Sequence, residues 1–184
     1  LRHPLTGMVI LFTRNYANRE QLKALCTNIH ATRPEILIAV DHEGGRVQRF
    51  RTEFTEVPAM AEIAGREHPE EAFRAAGQVL AEELREVGVD LTFAPVLDIN
   101  YGRSSVIGNR SFGKNSLEVI KNAGAFIEGL ADAGMASCGK HFPGHGWAEA
   151  DSHIALPTDE RSVEALERDM EPYRAIKKLA SCEL

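Results

Sequence analysis

No stretch of the sequence is apolar for long enough to cross a bilayer; runs such as residues 8–12 and 36–40 have the length of buried strands. There is no block of Lys and Arg, and the formal net charge is −6. That excludes a non-specific grip on nucleic acid. Cysteine is scarce: Cys26, Cys138 and Cys182 are odd in number and widely spaced. This is neither a disulfide framework nor a metal-ligand spacing, so reduced thiols are expected. No Gly-x-Gly-x-x-Gly follows an apolar run, and Glu43-Gly44-Gly45-Arg46 does not fit that fingerprint. No cofactor is expected. What remains, over 184 residues with 43% hydrophobic and 26% charged, is an ordinary globular composition.

Apolar runs and amphipathic stretches alternate. Residues 8–12, 36–40, 91–96 and 135–139 read as strands. Asn18 with Gln21 three residues on forms a capping-box pattern, and Asn115 with Glu118 repeats it. Pro69-Glu70-Glu71 opens another helix, whose stop is Gly88. Ser162 opens a last helical region, which Pro172 is expected to split in two. Residues 177–184 read as the tail of that helix. The chain starts at Leu1 almost directly on a strand, so it reads as a piece cut at both ends. Four βα units with wholly apolar strands imply a parallel sheet covered by helices, either an open doubly wound sheet or a βα barrel. Each strand is followed by polar groups: Thr13-Arg14-Asn15, Asp41-His42-Glu43, Asp98, and Lys140-His141. In βα folds that C-terminal edge is where sites are built.

The richest stretch is Lys140-His141-Phe142-Pro143-Gly144-His145-Gly146 with Asp151-Ser152-His153. Its proline and glycines make it a loop. Phe142–Pro143 is a candidate cis bond, with trans the default. An aspartate two residues from a histidine can accept from one ring nitrogen and raise the basicity of the other. Asp151 and His153 are therefore a candidate proton-transfer pair; the structural alternative is a surface histidine beside an Asx turn. A metal site built from His141, His145, Asp151 and His153 has zinc-type ligands but no established spacing. A second constellation is Asp41-His42-Glu43-Gly44-Gly45-Arg46-Val47-Gln48-Arg49-Phe50. Carboxylates and guanidinium groups together suit adjacent sugar hydroxyls. Arg46 is expected in a salt bridge bracing the loop through Asp41 or Glu43, and Arg49 is the better ligand candidate. Arg110 sits in a third polar loop, and Asp98 is open to a structural role on backbone amides.

In this order, and together with Ile10-Leu11-Phe12-Thr13-Arg14-Asn15 and Phe93-Ala94-Pro95-Val96-Leu97-Asp98, these motifs resemble glycoside hydrolase family 3. The likeness is to its bacterial β-N-acetylhexosaminidases of peptidoglycan recycling, and it covers nearly the whole chain. The resemblance implies a (β/α)8 TIM-type barrel, of which residues 1–184 hold about half, strands two to five. It implies a cytoplasmic retaining hydrolase that releases terminal non-reducing N-acetylglucosamine from muropeptides. It assigns proton transfer to His153 and Asp151, and sugar binding to Asp41, Arg49, Arg110, Lys140 and His141. It implies no metal, no nucleic acid and no membrane segment. The nucleophile of the family, an aspartate in a Ser-Asp-Asp-type motif, has no counterpart here and is expected beyond Leu184, which would leave the fragment inactive alone. Other readings are a family 3 β-glycosidase or glycoside phosphorylase, a metal-dependent hydrolase using the histidine cluster, and a non-catalytic sugar-binding fragment.

Overall fold

The computed structural model describes residues 1–149, 156, 158–177 and 182–183. Strand β1 (Met8–Leu11) leads through a turn of 3-10 helix into α1 (Arg19–Thr32) and β2 (Leu37–Val40). A hairpin of β3 (His42–Gly44) and β4 (Val47–Gln48) follows, then α2 (Met60–Ala64) and α3 (Pro69–Glu86). Next come β5 (Leu91–Thr92), α4 (Ser116–Asp132), β6 (Ala136–Gly139), α5 (Val163–Ile176) and β7 (Cys182–Glu183).

The caps anticipated from sequence form. Asn18 accepts from the Gln21 amide at 2.8 Å while the Gln21 side chain accepts from the Ala17 amide at 2.9 Å. Asn115 accepts from the Glu118 amide at 3.0 Å. These contacts satisfy amides that a helix start leaves without partners. Each helix then turns one apolar stripe inward: Leu22, Cys26 and Ile29 from α1, and Phe73, Leu80 and Leu84 from α3.

The main sheet runs β1-β2-β5-β6-β7, every pair parallel. Neighbours in the sheet follow one another along the chain without reversal. A doubly wound sheet reverses direction at a switch point, whereas a barrel wall does not. The arrangement is thus an arc of barrel, with helices between its strands. All C-terminal strand ends fall on one edge.

Several elements depart from expectation. Cys182–Glu183 pairs with β6 as a fifth strand instead of extending a helix. Pro172 does not split α5; it lies inside a single helix, on the face that buries Tyr173 and Ile176. Burial of that face outweighs the donor that proline lacks. The third strand is shorter than the apolar run because Pro95 interrupts it, although pairing resumes at a bridge between Val96 and Lys140. The β3–β4 hairpin and α2 occupy a stretch that had no clear pattern.

Candidate active site

Asp41 leaves the tip of β2 and Lys140 the tip of β6, 99 positions later, and the parallel sheet brings them together. Lys140 Nζ lies 2.7 Å from Asp41 Oδ1 and 2.6 Å from Glu43 Oε1. Arg110, at the end of a 3-10 turn (Gly108–Arg110), grips the same Glu43 bidentately. Its Nε donates to Oε2 and its Nη2 to Oε1, both at 2.8 Å. Its Nη1 donates to the Val106 carbonyl at 3.0 Å. Arg49 Nη2 stands 3.6 Å from Asp41 Oδ2, and its buried Nε has no hydrogen-bond partner among the described residues.

Burial by itself would raise the pKa of both carboxyls. For Asp41 the neighbouring Lys140 and Arg49 outweigh it, and for Glu43 Arg110 and Lys140 do, so both are held below their ordinary range. Desolvation works against the charge on Arg110, but Glu43 outweighs it and raises the guanidinium further. The result is an ionised lattice of two carboxylates and three cations, with Glu43 and Lys140 buried and Asp41 partly open to solvent.

His141, next along the chain from Lys140, is held by Asp98, which is 1% exposed. One Asp98 oxygen accepts from the His141 amide at 3.3 Å and meets His141 Nδ1 at 2.6 Å; the other accepts from the His145 amide at 2.6 Å. A carboxylate that already accepts two amides calls for a donor on the ring, so Nδ1 carries a proton toward Asp98. Asp98 thus serves backbone amides, of the loop after β6, and orients a side chain as well. A cavity of about 280 Å³ beside it is lined by His141, Phe142, Pro143, Gly144, His145, Ala148 and Asp159.

That loop is seated on the protein itself. Phe142–Pro143 is cis, against the trans default, and so are Ala94–Pro95 and Lys140–His141. A Cβ on Gly146 would stand 1.8 Å from the Ile99 carbonyl, so only glycine lets the two backbones touch. Trp147 lies under two guanidinium groups, Arg103 at 4.3 Å and Arg161 at 4.8 Å. Arg103 also pairs with Glu149, and Arg161 with Asp159, each at 2.6 Å. Arg161 further pairs with Asp169, which accepts from the Tyr101 hydroxyl.

Five of the seven candidate residues therefore have a placement. Asp41, Arg49, Arg110 and Lys140 form one connected group, and His141 adjoins it on the residue after Lys140. Asp151 and His153 lie outside the described residues. The bracing assigned to Arg46 is real but differs in kind: its guanidinium donates to the carbonyls of Ser105 and Val106, not to a carboxylate. Glu43, the hub, was read in the sequence as a polar group at the strand edge and a partner for Arg46, not as a site residue. Among the described residues no group of three His, Cys, Asp or Glu could hold a metal ion.

Comparison with known proteins bears on the family and the fold. The family model "Glycosyl hydrolase family 3 N terminal domain" matches residues 1–179. The beta-hexosaminidase of Nitrosospira multiformis is 54% identical over 182 residues, which are 95% of this chain and 52% of that protein. That of Pseudomonas aeruginosa PAO1 is 51% identical over 174 residues. The chain spans about half the length of the curated relatives it matches. Among solved structures, NagZ from Neisseria gonorrhoeae in complex with N-trifluoroacetyl-D-glucosamine superposes with a TM-score of 0.92 at 49% identity. The match covers 97% of this chain and 55% of that one. A family 3 beta-N-acetylglucosaminidase from Paenibacillus superposes with a TM-score of 0.88 at 36% identity, over 96% of this chain and 35% of that one. The arc of strands is part of a (β/α)8 barrel, and the chain belongs to glycosyl hydrolase family 3.

Proposed function

We propose that this chain is the sugar-gripping part of a retaining β-N-acetylhexosaminidase. The enzyme would release terminal non-reducing N-acetylglucosamine from peptidoglycan-derived muropeptides in the bacterial cytoplasm. The observation that carries the reading is the lattice at the strand tips. Asp41 offers a partly exposed carboxylate, and Arg49, Arg110 and Lys140 offer N–H groups around it, the pattern that adjacent hydroxyls require. The complex of Neisseria gonorrhoeae NagZ with an N-acylglucosamine supports the same ligand class.

In the reaction so proposed, His153 donates a proton to the glycosidic oxygen as the bond from that oxygen to the anomeric carbon breaks. An aspartate carried beyond Leu184 attacks the anomeric carbon and forms the glycosyl-enzyme. His153 then takes a proton from the water that attacks the same carbon, and the aspartate leaves. Asp151 stabilises the imidazolium at both stages.

The test is His153→Ala in the full-length protein. The expected loss in kcat/KM is about 10²- to 10⁴-fold on a disaccharide substrate. The loss should be much smaller on an aryl glycoside whose leaving group needs no proton. Equal losses on both would remove His153 from proton transfer. Sugar phosphate instead of free sugar as product in phosphate buffer would make the protein a phosphorylase. Activity abolished by a chelator and restored by metal would make it a metal-dependent hydrolase.

A further inference from the structure

We propose that Glu43 is a positioning residue of the sugar site: it does not touch the sugar, but it sets which N–H groups of Arg110 and Lys140 are left to do so. The inference rests on the sugar-binding reading given above.

Glu43 is 4% exposed, and three of the about four acceptor positions of its carboxylate are taken. Oε1 accepts from Lys140 Nζ at 2.6 Å and Arg110 Nη2 at 2.8 Å, and Oε2 accepts from Arg110 Nε at 2.8 Å. Its burial keeps the remaining position away from a ligand hydroxyl. Arginine has five N–H donors and lysine three. Arg110 spends two on Glu43 and one on the Val106 carbonyl, which leaves two without a partner among the described residues. Lys140 spends one on Glu43 and one on Asp41, which leaves one without a partner among the described residues. Glu43 thus converts two long cationic side chains into a small set of fixed donors beside Asp41.

A neutral residue of the same shape cannot do this. In either orientation, a glutamine amide would set its NH2 group against a donor, either Arg110 Nε or the pair formed by Arg110 Nη2 and Lys140. Both cations would then compete for Asp41, the acceptor that sugar hydroxyls need. Buried ion pairs cost free energy to desolvate and are weak evidence for a purely stabilising role.

The experiment is a double-mutant cycle in the full-length protein. Its readouts are the inhibition constant of N-acetylglucosamine and the kcat and KM on an aryl N-acetylglucosaminide. Glu43→Gln is expected to raise the inhibition constant and KM together, by about 10- to 100-fold. In an Arg110→Lys background the same change is expected to cost several-fold less than in the wild type, because the bidentate part of the hold is already gone and only the contact with Lys140 remains. Equal costs in the two backgrounds would assign Glu43 to the fold and overturn the proposal. Wild-type affinity in Glu43→Gln would do the same.

Should Glu43→Gln fail to fold, Glu43→Asp enters the cycle instead. It keeps the charge but is one methylene too short to span both cations. The expectation is a smaller loss with the same non-additivity, and additivity overturns the proposal. Failure of both variants to fold overturns it too. Wild-type protein that neither binds N-acetylglucosamine nor cleaves the glycoside overturns the functional reading, and this inference with it.

Discussion

His42 stands between two carboxylates of the site, yet its ring is packed among the aromatic rings of Phe50 and Phe54, at 5.6 and 5.9 Å. Burial, and then the nearby Arg51 and Arg49, push its pKa down to about 3. Its Nδ1 is buried with no hydrogen-bond partner among the described residues. The sign of the consequence follows. Folded His42 stays neutral, while the unfolded chain takes up a proton below the ordinary value of 6.5. The stability it contributes is complete above pH 6.5 and is lost as pH falls toward 3. One extra proton in the unfolded state gives a slope of about 1.4 kcal/mol per pH unit. Urea unfolding at pH 6.5, 5.5 and 4.5 should show that slope in the full-length protein, and His42→Leu should flatten it. An unchanged slope would place the acid sensitivity elsewhere. At this scale Asp41 and Lys140 were legible in the sequence because each follows an apolar run directly. Glu43 was not, since its partners Lys140 and Arg110 lie 97 and 67 positions away and only the folded sheet joins them.

The contact between α3 and α4 depends on two glycines that no local pattern singled out. A Cβ on Gly77 would meet the Phe126 carbonyl at 2.2 Å, and one on Gly129 would meet the Arg74 carbonyl at 2.0 Å. Each helix thus lays bare backbone against the other. A third helical glycine, Gly124, has nothing within 4 Å of the same position. The two sites should respond oppositely. Gly129→Ala forces two backbones apart and is expected to cost about 1–3 kcal/mol. Gly124→Ala gains helix propensity and should stabilise by up to about 1 kcal/mol. Thermal denaturation of the two single variants checks the pair, and a neutral Gly129→Ala would refute the close approach. The helices themselves were readable, because caps and apolar stripes are local. The β3–β4 hairpin was not: its buried His42, Glu43 and Gln48 look like loop residues until their partners are known. Pro172 misled for the same reason, since a local rule for proline cannot register the burial of its helix face.

At the scale of the molecule, the groups proposed to bind the sugar come from the end of β2, the hairpin after it, the loop after β5 and the end of β6. A bound sugar would therefore tie several βα units to one another. Saturating N-acetylglucosamine should raise the unfolding temperature of the full-length protein, by an amount corresponding to about 2.7 kcal/mol at a hundred times the dissociation constant. Lys140→Met should abolish the shift. A ligand-independent unfolding temperature in the wild type would count against the sugar site as a whole. The parallel βα class was legible because βα alternation with wholly apolar strands permits few architectures. Alternation alone left barrel and open sheet both open; the family resemblance pointed to the barrel, and the strand order agrees. That order, β1-β2-β5-β6-β7, has a further consequence for how the chain is made. Each strand lies beside the one translated just before it, so no pairing in the described sheet has to wait for a distant part of the chain. The wall can be laid down unit by unit as the polypeptide leaves the ribosome, each helix covering the strands already in place.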